Sequence, residues 1–178
     1  MATRNLTMVV NRQHYEDFTE RMMDITPYSM TEYSKVNMYL HHDGYPEWQG
    51  VQLANWVLAN QYQDSARVAA KLVHDHYYDS CYLYNNPNQI DHQYTYIIFV
   101  GGMSETLIFC YDQYSDREVF CYTPQEVLNK YMEDMDYTDF AGDKTRSDEQ
   151  ISPYTSDKPK EDATCNYSGL RNTKSYTD

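Results

Sequence analysis

The sequence predicts an α+β fold, with an antiparallel sheet of about four to five strands and helices covering one face. Three observations lead to this prediction. Segments with the two-residue alternation of strands are grouped in the chain, and segments with helical periodicity lie between and after them. Large aliphatic residues almost vanish after position 138. We therefore expect a globular domain in residues 1–138 and a flexible acidic and polar tail in residues 139–178.

The first part of the chain predicts strand, helix and strand. Residues 5–10 read as a short strand, and residues 14–24 repeat apolar or aromatic side chains every four positions. Thr26-Pro27 ends that helix. Residues 36–40 alternate apolar and polar side chains, the pattern of a half-buried strand, and residues 42–46 end it.

Two helices are predicted next. The first covers residues 47–59, and the second begins at Asp64 or Ser65, either of which can cap it. Apolar residues of the second helix fall on one stripe, which indicates a face packed against a sheet. Residues 85–88 have the composition of a turn or loop.

An antiparallel meander is predicted over residues 94–100, 106–111 and 118–122, which are rich in β-branched and aromatic residues. Thr123 and Glu126 then have the spacing of a capping box. This pattern predicts a final helix that begins directly after the last strand.

Tyrosine is unusually frequent, with 20 in the chain, and five of these lie in predicted strands. Aligned on the sheet face that the helices leave open, they would form an amphipathic surface suited to protein contact. The alternative is that several are buried with their hydroxyl groups at the rim. The five are Tyr39, Tyr94, Tyr96, Tyr111 and Tyr122.

Acidic side chains outnumber basic ones by 27 to 14, which gives a formal charge of -13. Residues 1–138 hold 19 of the acidic and 8 of the basic side chains. This surplus argues against direct nucleic-acid binding, because affinity for a phosphate backbone comes mainly from Lys and Arg, and against an anionic membrane surface. It predicts a basic protein partner, and the alternative explanation is solubility alone.

The four cysteines form neither a CxxC pair nor a dense disulfide pattern, and the N-terminus lacks the pattern of a signal peptide. We therefore expect a reducing, cytoplasmic location. The six histidines lack a recognised metal-ligand spacing, and the common catalytic motifs are absent. We expect no catalytic residue, no metal and no cofactor, and a non-enzymatic role is favoured while an enzymatic one is left open.

One local motif is more specific. It runs His42-Asp43-Gly44-Tyr45-Pro46, with Gln49-Gly50 following, and Thr3 to Thr7 reads TRNLT. Together with residues 91–96, these motifs resemble a group of small uncharacterised proteins of bacteria and their phages, which open with a Thr-Arg-Ser-Leu-Thr-like strand and carry Asp-Gly-Tyr-Pro. The resemblance implies a phage or bacterial origin, and host cytoplasm if the gene is carried by a phage.

The same motif has a structural explanation. Asp43 can accept hydrogen bonds from backbone amides, Gly44 permits a positive φ, and Pro46 suits the start of a helix. A small anion held at this strand-to-helix corner is the alternative. The structural explanation is favoured, because Asp43 and Glu47 would repel an anion.

Two functional hypotheses follow. The leading one is an acidic, non-enzymatic binding protein, a phage early product that mimics nucleic acid, docks on a basic host nucleic-acid-handling or defence protein and inhibits it. The other is a small-molecule or nucleotide binder or hydrolase with a His/Asp pocket. A self-associating virion or scaffold component is a third possibility. The candidate ligand- or partner-binding residues are His41, His42, Asp43, Tyr45, His76, His92, Tyr94 and Tyr96.

Overall fold

The computed structural model describes five ranges of the chain, namely residues 3–61, 63–76, 81–86, 90–101 and 105–132. Its strands are β1 (Asn5–Asn11), β2 (Asn37–Leu40), β3 (Tyr82–Leu83), β4 (Tyr94–Val100), β5 (Leu107–Asp112) and β6 (Arg117–Tyr122). Its α-helices are α1 (Arg12–Glu20), α2 (Pro27–Met30), α3 (Val51–Ala59), α4 (Ser65–His76) and α5 (Pro124–Met132). A 3₁₀ turn covers Thr31–Tyr33, and a π-helical turn covers Pro46–Gly50.

The strands form one sheet in the order β3-β2-β1-β4-β5-β6. The predicted α+β class is confirmed, with six strands instead of four to five. All neighbouring pairs are antiparallel except β1 and β4, which run parallel from Asn5 opposite Tyr94 to Asn11 opposite Val100. The sheet is therefore mixed, because its central pair joins two strands that are far apart in the chain.

Both faces of this sheet are covered. Leu6, Met8 and Val10 of β1 belong to a core that includes Phe18 of α1 and Met30 of α2. Val9, whose side chain points to the opposite face, belongs to a second core with residues of the other strands and buried residues of α3, α4 and α5. We call these the α1–α2 face and the α3–α5 face. The prediction of helices on one face is therefore incomplete. Six consecutive residues of β1 are buried, as expected of a strand covered on both sides.

The five strand tyrosines do not form a row. Tyr94, Tyr96 and Tyr122 pack on the α3–α5 face, whereas Tyr39 and Tyr111 pack on the α1–α2 face. The alternative of burial describes them better, since each is buried or half-buried. The expected amphipathic surface is corrected for this reason: the sheet has no open face in the region where these side chains lie.

The predicted capping box at the start of α5 is present. The Glu126 amide donates to Thr123 Oγ1 at 3.3 Å, and the Thr123 amide donates to Glu126 Oε2 at 2.8 Å. These hydrogen bonds to the carboxylate lower the pKa of Glu126. The helix therefore begins at Pro124, where the sequence places it.

The corner between β2 and the π-helical turn is held tightly against the sheet. The Gly44 amide donates to Thr3 O at 2.9 Å, and the Tyr96 hydroxyl donates to Gly44 O at 2.8 Å. A Cβ atom on Gly44 would lie 2.9 Å from Asn5 Cβ and 2.9 Å from Thr3 O. The positive φ predicted for Gly44 belongs instead to Asp43, at 55°. Glycine is required at position 44 for close approach.

No helix in the described ranges is both long enough and apolar enough to span a membrane. The predicted tail, residues 139–178, lies outside the described residues.

Gly44→Ala is expected to lower the free energy of unfolding by about 1 to 3 kcal/mol, because the added methyl group would meet Thr3 O and Asn5 Cβ. Gly50→Ala is the matched control. A Cβ there would meet its nearest atoms at 3.6 Å or more, in helical backbone. That variant should be neutral or gain up to about 1 kcal/mol. Urea denaturation measures both, and equal losses would contradict the account of this corner.

Candidate ligand-binding site

A pocket of about 420 Å³ lies beside the corner, and we call it the corner pocket. Its walls come from the end of β2, the corner itself, the π-helical turn, the first turn of α3 and the end of α4. Four of the sequence-predicted site residues line it, although His76 is distant in sequence from the other three. The lining residues are Leu40, His41, His42, Asp43, Trp48, Gln49, Gln52 and His76.

His41 and His42 both line the pocket, although adjacent residues on a strand point to opposite faces. The reason is that β2 ends at Leu40, so that both histidines lie in the corner beyond the strand. The rings are arranged edge to face with centroids 5.0 Å apart. His41 Nδ1 lies 2.9 Å from the Tyr39 hydroxyl oxygen, a hydrogen bond that anchors this imidazole to β2.

Asp43 is the residue that turns the chain from β2 into the corner. Its left-handed φ of 55° is uncommon for a residue other than glycine, although Asp and Asn adopt it more readily than most. Its side chain is exposed at the pocket wall. Asn5 Nδ2 donates to the His42 carbonyl oxygen at 3.5 Å, which ties the preceding residue to β1.

Gln49 is the functional candidate that the sequence analysis did not select. It lines the pocket with 4% of its surface exposed, and its Nε2 has no hydrogen-bond acceptor. A buried amide donor without a partner costs about 1 to 3 kcal/mol. The sequence does offer a signal for the burial of Gln49. It stands between an apolar and a small residue in the first turn after Pro46, where a buried side chain is expected.

Two more side chains determine what the corner pocket can contact. Trp48 exposes 42% of its surface and supplies a large aromatic ring. Gln52, on the first turn of α3, is half-buried and supplies a second amide. No Lys or Arg is found among the described residues of the lining. These residues combine an aromatic surface with imidazole and amide groups and one carboxylate.

His92 lies apart from the corner pocket. Its side chain is buried, Nδ1 lies 2.8 Å from Ile90 O and Nε2 lies 2.7 Å from Thr95 Oγ1. Gln113 Nε2 donates to the same Thr95 hydroxyl oxygen at 2.9 Å. Because burial disfavours the charged imidazolium, the pKa of His92 is lowered. The expected place of His92 beside the other histidines is therefore corrected to a hydrogen-bonded position at the start of β4.

The three tyrosines of the predicted site differ in exposure. Tyr45 exposes 42% of its surface, and its ring centroid is 6.3 Å from that of half-buried Tyr94. Tyr96 has no exposed surface and supports Gly44 from within the core. The expected contact of Tyr96 with a ligand or partner is corrected to this structural role. None of the three lines the corner pocket.

Within the described ranges, no group of three or more His, Cys, Asp or Glu side chains is arranged to hold a metal ion. Comparison with known proteins finds no matching family model, no matching curated protein and no matching solved structure. The resemblance to the bacterial and phage group therefore stays a prediction. The arguments for function come from the pocket and from the charge.

We expect the stability of the protein to fall as the pH is lowered from about 6.5 towards 5, because the unfolded chain binds a proton at His92 before the folded chain does. The free energy of unfolding then changes by up to about 1.4 kcal/mol per pH unit for this proton. Denaturant unfolding across this pH range measures the slope.

His92→Gln should flatten this slope, whereas His42→Gln, a change at an exposed ring, should leave it intact. Asp75 does not contribute to the slope of the free energy of unfolding in this pH interval. Its hydrogen bonds with Lys71, His74 and Trp56 hold the pKa of Asp75 well below its usual range, so that its contribution is lost only in stronger acid. An unchanged slope in His92→Gln would contradict the assignment.

Proposed function

We propose that the chain binds a small polar molecule in the corner pocket. The observation that carries this proposal is the buried Gln49 side chain, which lines the pocket and whose Nε2 lacks a hydrogen-bond acceptor. The great majority of buried polar groups in folded proteins are paired. Because Nε2 itself is buried, a rotation of the Gln49 side chain toward the pocket would bring this donor to a ligand acceptor and recover the cost of its burial.

The surrounding side chains support the same conclusion. His41, His42 and Asp43 reach the pocket from one short segment, and His76 reaches it from the end of α4. Pockets that bind small molecules combine an apolar or aromatic surface with a few convergent polar groups. Trp48 and Leu40 supply the apolar and aromatic surface. The histidines and the two glutamines supply the polar groups.

The support beneath the pocket is rigid enough for a binding site. Gly44 is held by Thr3, two residues before β1, and by Tyr96 of β4. The amides of Trp48 and Gln49 both donate to Tyr45 O, at 3.0 and 2.8 Å, and set the first turn after the corner. These hydrogen bonds fix the backbone that carries the pocket side chains, so that little backbone ordering is needed when a ligand binds.

Gln49→Met tests the proposal, because it removes the unpaired donor and keeps the volume of the side chain. We expect this variant to keep or raise the free energy of unfolding, by up to about 1 kcal/mol, and to lose binding. Gln113→Met is the matched control. It removes an amide that is paired with Thr95, so that it should lower stability by about 1 kcal/mol and retain binding.

Binding is measured with a fragment library followed by nuclear magnetic resonance. Fragments that occupy the corner pocket should shift the indole signal of Trp48 and the imidazole signals of His41 and His42 in the wild-type protein, and not in Gln49→Met. A library that shifts no corner-pocket signal would contradict the proposal. So would a Gln49→Met variant that binds the same fragments equally well.

A second candidate function is the docking of this acidic chain on a basic host protein by mimicry of nucleic acid. It is favoured by the placement of the carboxylates, since every Asp and Glu in the described residues is exposed or half-buried and none is buried. Asp116 and Asp24 illustrate this surface. The pKa of Tyr111 is raised to about 12 by the hydrogen bond from its hydroxyl to Asp116, by burial, and by the charges of both carboxylates. Complementary potentials of this kind steer association.

The docking function predicts capture that depends on charge. The tagged chain should retain DNA-binding proteins from a bacterial lysate, and added duplex DNA or salt should release them. The triple variant Glu20→Gln, Asp24→Asn, Glu32→Gln removes three exposed charges and should retain them less well. Two results would contradict this function: retained proteins that neither salt nor duplex DNA releases, and a triple variant that retains them as well as the wild type does.

A further inference from the structure

We infer that the corner pocket takes an uncharged nucleobase or nucleoside and discriminates against the corresponding nucleotide. This inference rests on the proposed function, since it names the ligand class of the same pocket. Three features of the lining lead to it: an aromatic surface, two side-chain amides and the absence of Lys or Arg among the described residues that line it.

The aromatic surface favours a planar ligand. Trp48 exposes 42% of its surface and lines the pocket, with Leu40 contributing a further apolar wall. A base stacked on an aromatic side chain gains about 1 to 3 kcal/mol, and every base has a π face for such a contact. A flexible aliphatic molecule gains no comparable stacking.

The amides favour a ring with hydrogen-bonding groups at its edge. Gln49 Nε2 is a buried donor without an acceptor, and Gln52 adds a second amide on the first turn of α3. Amide side chains pair with the donor and acceptor atoms at the edge of a base, as glutamine does with adenine. With the Gln49 side chain rotated toward the pocket, a ring nitrogen or a carbonyl oxygen of the base would accept from its Nε2.

The charge of the lining separates a nucleoside from a nucleotide. Phosphate groups in protein sites are commonly met by Lys or Arg, and the part of the corner pocket formed by described residues contains neither. Asp43 lines it, and exposed Glu47 lies in the adjoining π-helical turn. Both carboxylates would repel a phosphate. The hydroxyl groups of a ribose can instead donate to Asp43 or bond with the neighbouring imidazoles.

Isothermal titration of the full chain with adenosine, guanosine, cytidine and uridine tests this inference, each compared with its 5′-monophosphate. We expect at least one nucleoside to bind and its monophosphate to bind about tenfold more weakly or worse. Trp48→Leu and Gln49→Met should each weaken nucleoside binding by about tenfold or more, and Gln113→Met should not change it.

Two results would overturn the ligand class. One is a monophosphate that binds as tightly as its nucleoside or more tightly. The other is the absence of binding by all four nucleosides at about 1 mM. The fragment experiment distinguishes this failure from failure of the proposed function. Fragments of other chemistry that bind in a Gln49-dependent manner would leave the pocket as a binding site, whereas no corner-pocket fragment at all would contradict both.

Discussion

The close contact between Gly44 and the first residues of the sheet is the constraint on which the corner pocket depends. Thr3 O accepts from its amide, the Tyr96 hydroxyl donates to its carbonyl oxygen, and Asn5 leaves no room for a Cβ atom. This contact sets where the chain leaves β2 and where the π-helical turn begins. The positions of His41 and His42 before the corner, and of Trp48 and Gln49 after it, follow from it.

In the described residues, three of the five buried side-chain polar atoms without a hydrogen bond belong to Asn5, Thr7 and Gln49, and the other two belong to Arg12 and Asn37. Asn5 Oδ1, Thr7 Oγ1 and Gln49 Nε2 are all buried without a hydrogen bond. Asn5 and Thr7 alternate with the α1–α2 face residues of β1, so that they point to the α3–α5 side, as Tyr96 does. A region with no role besides stability would bury apolar groups here, because burying them costs less than burying unpaired polar groups. Of the three, Gln49 lines the corner pocket, and an unpaired polar group there is what a binding site accepts in exchange for specificity.

Local patterns in the sequence predicted the elements well, because their causes are local. The capping box of Thr123 and Glu126, the alternation in β2 and the apolar stripe of α4 each depend on residues a few positions apart. The sheet face on which each strand residue lies was harder to predict. Tyr39 and Tyr96 have similar surroundings in sequence, yet they lie on opposite faces, because each is placed by the register of its strand against β1. The corner was recognised, but its positive φ was assigned to Gly44 instead of Asp43.

The sequence by itself determined the α+β class, the approximate bounds of most elements and the acidic charge, all of which follow from residue type and short-range spacing. Only the tertiary structure decided the parallel pairing of β1 with β4, since strand direction depends on contacts between distant segments. It also decided the membership of the pocket. It brought His76 to His41 and His42, left His92 hydrogen-bonded elsewhere and buried Gln49 beside them, because burial and distance depend on how the helices pack against the sheet.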